Sequence, residues 1–163
     1  MRDETRGLPA DGRQSETALM IARGVRRLLR ARGFSSLTEL PLTDGRRADI
    51  AAINCDGEVL IVEIKSSLAD FRADRKWRDY VASCDRLYFA ISEQTPAGLI
   101  PSEAGLILAD PYGAEIVREA ELQRLAPSSR RALLLRFAQA AADRLHRLAD
   151  PRGAQEFYAG GGD

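Results

Sequence analysis

Asp49, Glu63 and Lys65 are the residues of this 163-residue chain whose types and spacing best suit chemistry. Glu63 and Lys65 lie two apart in the apolar run Val59-Leu60-Ile61-Val62-Glu63-Ile64-Lys65, so on a strand they share one face while Ile64 points to the other. Charges on such a strand cost free energy unless they are paired, exposed or ligated. With Asp49 beside Glu63, two carboxylates repel each other, and an oxygen-preferring divalent cation relieves that repulsion while keeping most of its waters. Mg2+ is the natural ion, with Mn2+ its alternative. Such an ion lowers the pKa of bound water and stabilises charge on a phosphoryl oxygen, while the Lys65 ammonium can hold the attacking water and share that charge. The chemistry expected of the trio is phosphodiester hydrolysis. The plainer reading makes Glu63-x-Lys65 an ion pair at a strand end and Asp49 a surface carboxylate, E-x-K being a common tripeptide.

The turn between the two strands decides whether Asp49 joins the other two. A two-residue loop at Asp56-Gly57 would set Cys55 opposite Glu58 and put Asp49 and Glu63 on opposite faces. A three-residue loop, Cys55-Asp56-Gly57, with Gly57 left-handed in a bulge, sets Asn54 opposite Glu58 and Asp49 opposite Glu63. Directly opposed residues have Cβ atoms roughly 4.5–5.5 Å apart, close enough for two carboxylates to share one ion. The bulged register is the expected one.

The elements that must hold these residues follow from periodicity. Ala18, Leu19, Ala22, Val25, Leu28 and Leu29 follow helical spacing from Ser15 to the stop at Arg32-Gly33. Leu37 to Leu42 reads as an irregular strand in which Pro41 disfavours a central position, and Ala48 to Asn54 and Glu58 to Lys65 complete an antiparallel meander. Ser67 and Asp70 suggest the start of a second helix carrying Phe71, Trp77, Tyr80, Val81 and Cys84. Leu87 to Ile91 is then a strand, reached by a crossover and so parallel to the one before the helix. Leu106 to Ala109 and Glu115 to Val117 form a hairpin about Asp110-Pro111-Tyr112-Gly113. A last helix, capped by Ser128 or Ser129, is expected to bury Leu133, Leu134, Phe137, Ala140, Ala141, Leu145 and Leu148. The result is an α/β fold, a mixed sheet flanked by helices. One domain spans 15–149, with an arm over 1–14 and a tail over 150–163.

Composition narrows the classes. Lys and Arg number 24 against 24 Asp and Glu, 45% of residues are apolar and 29% charged, which argues against disordered, collagen-like or coiled-coil chains. Runs such as Leu87 to Ile91 are far shorter than the roughly 20 residues a bilayer requires. The N-terminus lacks an apolar signal segment, and two cysteines make no disulfide framework, so a cytoplasmic location is expected. Cys55, Cys84 and His146 have no neighbours suited to zinc or nucleophilic chemistry, and neither a phosphate-binding P-loop nor a G-x-S-x-G elbow is present.

Zero net charge means that any attraction to nucleic acid must come from local clusters. There are three: Arg23, Arg26, Arg27, Arg30 and Arg32; Arg46-Arg47; and Arg72, Arg75, Lys76 and Arg78. Arg72, Arg75 and Lys76 follow the expected site and suit phosphates flanking a scissile bond. Arg46 and Arg47 adjoin Asp49 and suit either a phosphate or a carboxylate partner. Each cluster also has the form of an ordinary solvated face. Trp77 and Tyr80 at helical spacing read as core before they read as base-stacking platforms.

The segments Gly45-Arg46-Arg47-Ala48-Asp49, Ile61-Val62-Glu63-Ile64-Lys65-Ser66-Ser67, Asp70-Phe71-Arg72-Ala73-Asp74-Arg75-Lys76-Trp77 and Cys84-Asp85-Arg86-Leu87-Tyr88-Phe89-Ala90 resemble the MmcB-like family of bacterial DNA repair proteins. The resemblance runs from about Thr17 to about Leu148. An Asp on one strand and E-x-K on the next also resemble the PD-(D/E)xK nuclease superfamily, with its restriction-endonuclease-like fold and an αβββαβ core. That resemblance implies a metal-dependent nuclease in DNA repair in a bacterial cytoplasm. Asp49, Glu63 and the backbone carbonyl of Ile64 would hold the metal, and Lys65 would assist catalysis. Glu39 or Glu16 would supply a further acid. Ala48 stands where the superfamily nominally has proline. The rival expectation is an accessory with the same fold that binds DNA or a repair partner without cutting. A homodimer would offer the surface that one compact domain lacks.

Overall fold

Ser15 begins the first helix, its hydroxyl accepting the Ala18 N–H at 3.2 Å, so the cap satisfies one of the donors that a helix start leaves open. In this computed structural model, which describes residues 15–67 and 77–151, α1 spans Glu16–Ala31. Its apolar stripe of Ala18, Ile21, Ala22, Val25 and Leu29 is buried. Six strands follow: β1 (Ser35–Pro41), β2 (Arg47–Ile53), β3 (Val59–Ile64), β4 (Arg86–Ile91), β5 (Gly105–Ala109) and β6 (Ala114–Arg118). A short helix α2 (Arg78–Val81) precedes β4, and α3 (Pro127–Ala149) closes the described chain.

The strands lie side by side in chain order. β1, β2 and β3 pair antiparallel, β3, β4 and β5 pair parallel, and β6 returns antiparallel on β5. This is the expected mixed sheet flanked by helices, in the expected order. Pro41 lies at the end of edge strand β1, opposite Arg47, where a missing donor costs least. The second helix expected from Ser67 is described only from Trp77 onward; Asp70, Phe71, Arg72, Arg75 and Lys76 lie outside the described residues, as do 1–14 and 152–163.

The β2–β3 turn has the three-residue form. Asn54 donates its N–H to the Glu58 carbonyl at 3.2 Å, Gly57 donates to the Asn54 carbonyl at 3.1 Å, and Gly57 has φ +78°. Ile53 therefore faces Val59, and Ile50 faces Val62. Gly24 is required for a different reason: a Cβ there would lie 2.1 Å from the Asp110 carbonyl oxygen and 2.3 Å from that of Gly113, so only glycine lets α1 lie against the β5–β6 turn.

One sheet face packs on α1 through Ile50, Ala52, Leu60, Val62, Ile64, Tyr88, Ala90 and Ile107. The other packs on α3 through Leu40, Ala51, Ile61, Leu87, Leu133 and Phe137. The alternation slips once: Ala48 and Ala51, three apart, join the same cluster, as do Leu37 and Leu40. Glu39 and Asp49 lie inside this slip, and Glu39 takes φ +53°. Two expectations for the last helix need correction. Pro127 fills its first turn after an Ala126 cap, so neither Ser128 nor Ser129 caps it. Leu133 and Phe137 are buried, but Leu145 and Leu148 are 67% and 80% exposed because the helix outruns the sheet beneath it.

Candidate active site at the end of the central strands

The regular ladder between β2 and β3 stops at Ile50 and Val62, and side chains take over from there. Asp49 donates its backbone N–H to Glu63 Oε1 at 3.2 Å, and Ile64 donates its N–H to Asp49 Oδ2 at 2.7 Å. Each carboxylate thus receives a main-chain donor from the opposite strand, which fixes both where the strands diverge. The local slip around Glu39 and Asp49 is what turns Asp49 toward β3 in place of continuing the backbone pairing.

Glu63 is 4% and Lys65 6% exposed, although both are charged residue types. Lys65 donates its N–H to the Ala90 carbonyl at 3.0 Å, anchoring its main chain to β4. Its Nζ sits 5.6 Å from the Phe89 ring centroid, a cation–π distance, and Phe89 in turn meets Trp77 edge to face at 6.0 Å. The ring of Phe89, backed by Trp77, thus faces the lysine's ammonium head. Trp77 thereby serves as core beneath the site, as its helical spacing suggested.

Burial pushes the Asp49 carboxyl above its usual range. The Ile64 N–H and the Lys65 charge pull it back, the Glu39 charge pushes it further, and Arg47 opposes Glu39. Glu39, from β1, is therefore electrostatically part of the cluster. Glu39 itself pairs with Arg47, and its carbonyl accepts a bond from Arg144 at 3.2 Å. Arg46 pairs with Asp79, lies 3.8 Å from Asp44 and stacks over Tyr80 at 5.4 Å. Both arginines already have carboxylate partners, so the carboxylate reading is the one the structure displays. Glu16 begins α1, whose cap Ser15 donates its hydroxyl to the Ser66 hydroxyl at 3.3 Å, just beyond Lys65. Among the described residues no three His, Cys, Asp or Glu side chains gather into a metal cluster.

A second buried carboxylate sits at the opposite end of β3. Asp85 binds both Nη atoms of Arg130 at 2.7 Å and accepts the N–H groups of Val59 at 2.8 Å and Leu125 at 2.9 Å. Burial would raise its pKa, but Arg130 and the two backbone donors together hold it at about 2. Next to it, burial pushes the Cys84 thiol up to about 12, and that thiol donates to the Tyr80 carbonyl at 3.3 Å, which suits packing and not nucleophilic attack. Cys55 and His146 are exposed and join no cluster among the described residues.

The antiparallel meander and the parallel crossover bring Asp49, Glu63 and Lys65 to one end of the central strands of an α/β fold, a mixed sheet flanked by helices. Residues 6–152 match the MmcB-like family described as DNA repair protein MmcB-like, and the chain belongs to that family. A solved structure, the SPO1766 protein of unknown function from Silicibacter pomeroyi, is 46% identical over 86% of this chain and 97% of that one, with a TM-score of 0.83. Pyrococcus furiosus SfsA, solved in complex with Ca2+, is 14% identical over 61% of this chain and 60% of that one; its TM-score of 0.32 carries no argument. No curated protein matches.

Proposed function

We propose that this DNA repair family member is a Mg2+- or Mn2+-dependent deoxyribonuclease whose working residues are Asp49, Glu63 and Lys65. The observation that carries the reading is the exchange of main-chain donors that locks the two carboxylates side by side on diverging strands. The residues fit such an ion. Their donors are all oxygen, and burial raises the Asp49 carboxyl, so a bound cation would favour its ionised form. Asp49, Glu63 and the Ile64 carbonyl would hold it, with waters completing a coordination shell that Mg2+ seldom fills from protein alone. When bound, the ion supplies Lewis acidity and a water of lowered pKa.

The chain's own groups do the rest. Asp49 and Glu63 are held in place by backbone donors, so no side-chain reorganisation is needed at the moment of reaction. Lys65, its ammonium held over the Phe89 ring, would orient the attacking water and offset charge growing on the phosphoryl oxygens.

The test is cleavage of labelled single-stranded, duplex, flapped and branched DNA with Mg2+, Mn2+ or EDTA. Lys65→Met is the comparison, because it keeps an unbranched side chain of similar length and removes the charge. Metal-dependent cutting that slows at least about a hundredfold in the variant is expected. Intact DNA with every metal, alongside retained DNA binding, would instead support a non-cleaving accessory that works through a repair partner.

A further inference from the structure

The arginine cluster on α1 is the basic feature that the candidate site leaves unused. Arg23, Arg26 and Arg30 are exposed and spaced so that they line one side of the helix. Arg27 and Arg32 turn elsewhere: Arg27 donates to the Tyr112 carbonyl at 2.9 Å, and Arg32 pairs with Glu119 at 3.2 Å. Among the described residues no carboxylate reaches Arg23, Arg26 or Arg30. The helix dipole accounts for a cation in the last turn, where Arg30 sits, but not for Arg23 or Arg26 in the middle.

Beside this stripe lies an open groove of about 520 Å3, lined by Arg26, Arg30, Gly33, Phe34, Ser35 and Ser36. Its lining contains two guanidinium groups, two hydroxyls and no carboxylate. Arg26 Nε donates to the Ser36 hydroxyl at 3.3 Å, linking two residues of the groove lining. From Arg23 to Arg30 the helix rises roughly 10 Å, about the axial length of three phosphate-to-phosphate steps on one strand of a duplex.

We propose that the α1–β1 groove and its arginine stripe form a second DNA contact, a clamp on the phosphodiester backbone separate from the Asp49–Glu63 end. The proposal rests on the reading of DNA as substrate and adds where the strand is gripped. α1 starts beside Ser66 and runs away from the candidate site, so Arg26 and Arg30 lie roughly 16–22 Å along the helix from its Ser15 end. DNA of about 20 base pairs is long enough to reach both regions. The contacts are to phosphates, so they add affinity without base preference.

The experiment is fluorescence anisotropy of a 20-base-pair duplex across a salt series, with EDTA present so that nothing is cut. Wild type is compared with Arg26→Gln/Arg30→Gln and with Arg131→Gln/Arg136→Gln, which removes equal charge from exposed positions on α3. The slope of log affinity against log salt is expected to fall by about 2 in the first variant, at about 0.9 per phosphate contact, and to stay unchanged in the second. Equal slopes in wild type and the α1 variant, or equal losses in both variants, would overturn the clamp while leaving the nuclease reading standing. Binding that depends on Arg26 and Arg30 without metal-dependent cleavage would keep the clamp and overturn the nuclease. Absence of DNA binding by wild type at low salt would overturn the clamp, and the cleavage assay with metal then decides the nuclease reading separately.

Discussion

The two ends of β3 each bury a carboxylate, and they treat it in opposite ways. At the start of the strand, Asp85 receives a bidentate arginine and two backbone N–H groups, and its pKa falls to about 2. At the far end, burial raises the pKa of Asp49 against one backbone N–H and the Lys65 charge, and the Glu39 charge adds to the rise. The first arrangement satisfies its charge from within the fold and behaves as a structural staple tying β3, β4 and α3 together. The second holds a carboxylate whose ionisation burial disfavours, the kind of perturbed group that clusters at functional sites.

Removing the staple gives the largest expected change. Asp85→Asn leaves the guanidinium of Arg130 without its ionic partner, and breaking such a buried pair costs about 3 kcal/mol. A melting temperature lower by roughly 6–12 °C is expected by calorimetry. Asp49→Asn, which keeps an oxygen for the Ile64 N–H, should do the reverse in the absence of metal: at pH 7 it removes a costly charge, so the melting temperature should rise, by less than the staple variant falls.

Acid titration sharpens the contrast. Asp85 has a folded pKa of about 2 against an ordinary 3.8, so its stabilisation, about 2 kcal/mol, is present above pH 3.8 and is lost as the pH drops toward 2. Asp49 has the opposite sign. Its folded pKa lies above 3.8, so ionisation destabilises the fold as pH rises through that value, and the gain from Asp49→Asn should vanish at pH 3.8 and below. Melting curves from pH 2.5 to 7 check both. Glu39→Gln should have the smallest effect, within about 1 kcal/mol, since it relieves Asp49 but frees Arg47 from a partly exposed pair.

The candidate site was more legible than the staple for a physical reason. Asp49, Glu63 and Lys65 are related by strand parity and by one turn, Cys55-Asp56-Gly57, whose left-handed glycine sets the register over a few residues. The edge position of β1 could be read from Pro41, and the β3–β4 crossover from the intervening helix pattern. Asp85 and Arg130 are far apart in sequence, and nothing local announces that they meet; the one trace is a charged pair, Asp85-Arg86, ahead of an apolar strand. The slip around Glu39 was hidden for the same reason, since it needs two strands to display it. The exposed end of α3 was misjudged because helical periodicity shows which face is apolar, while the length of the sheet beneath decides how much of that face is covered.

On the proposed reading, Asp49 and Glu63 together hold a divalent cation. Thermal unfolding of the wild type and of Asp49→Asn/Glu63→Gln, each with and without Mn2+ at pH 7, tests it most directly. Mn2+ at about a hundred times its dissociation constant is expected to stabilise the wild type by about 2.7 kcal/mol and to leave the double variant unmoved. An equal shift in both proteins, or none in the wild type, would contradict it.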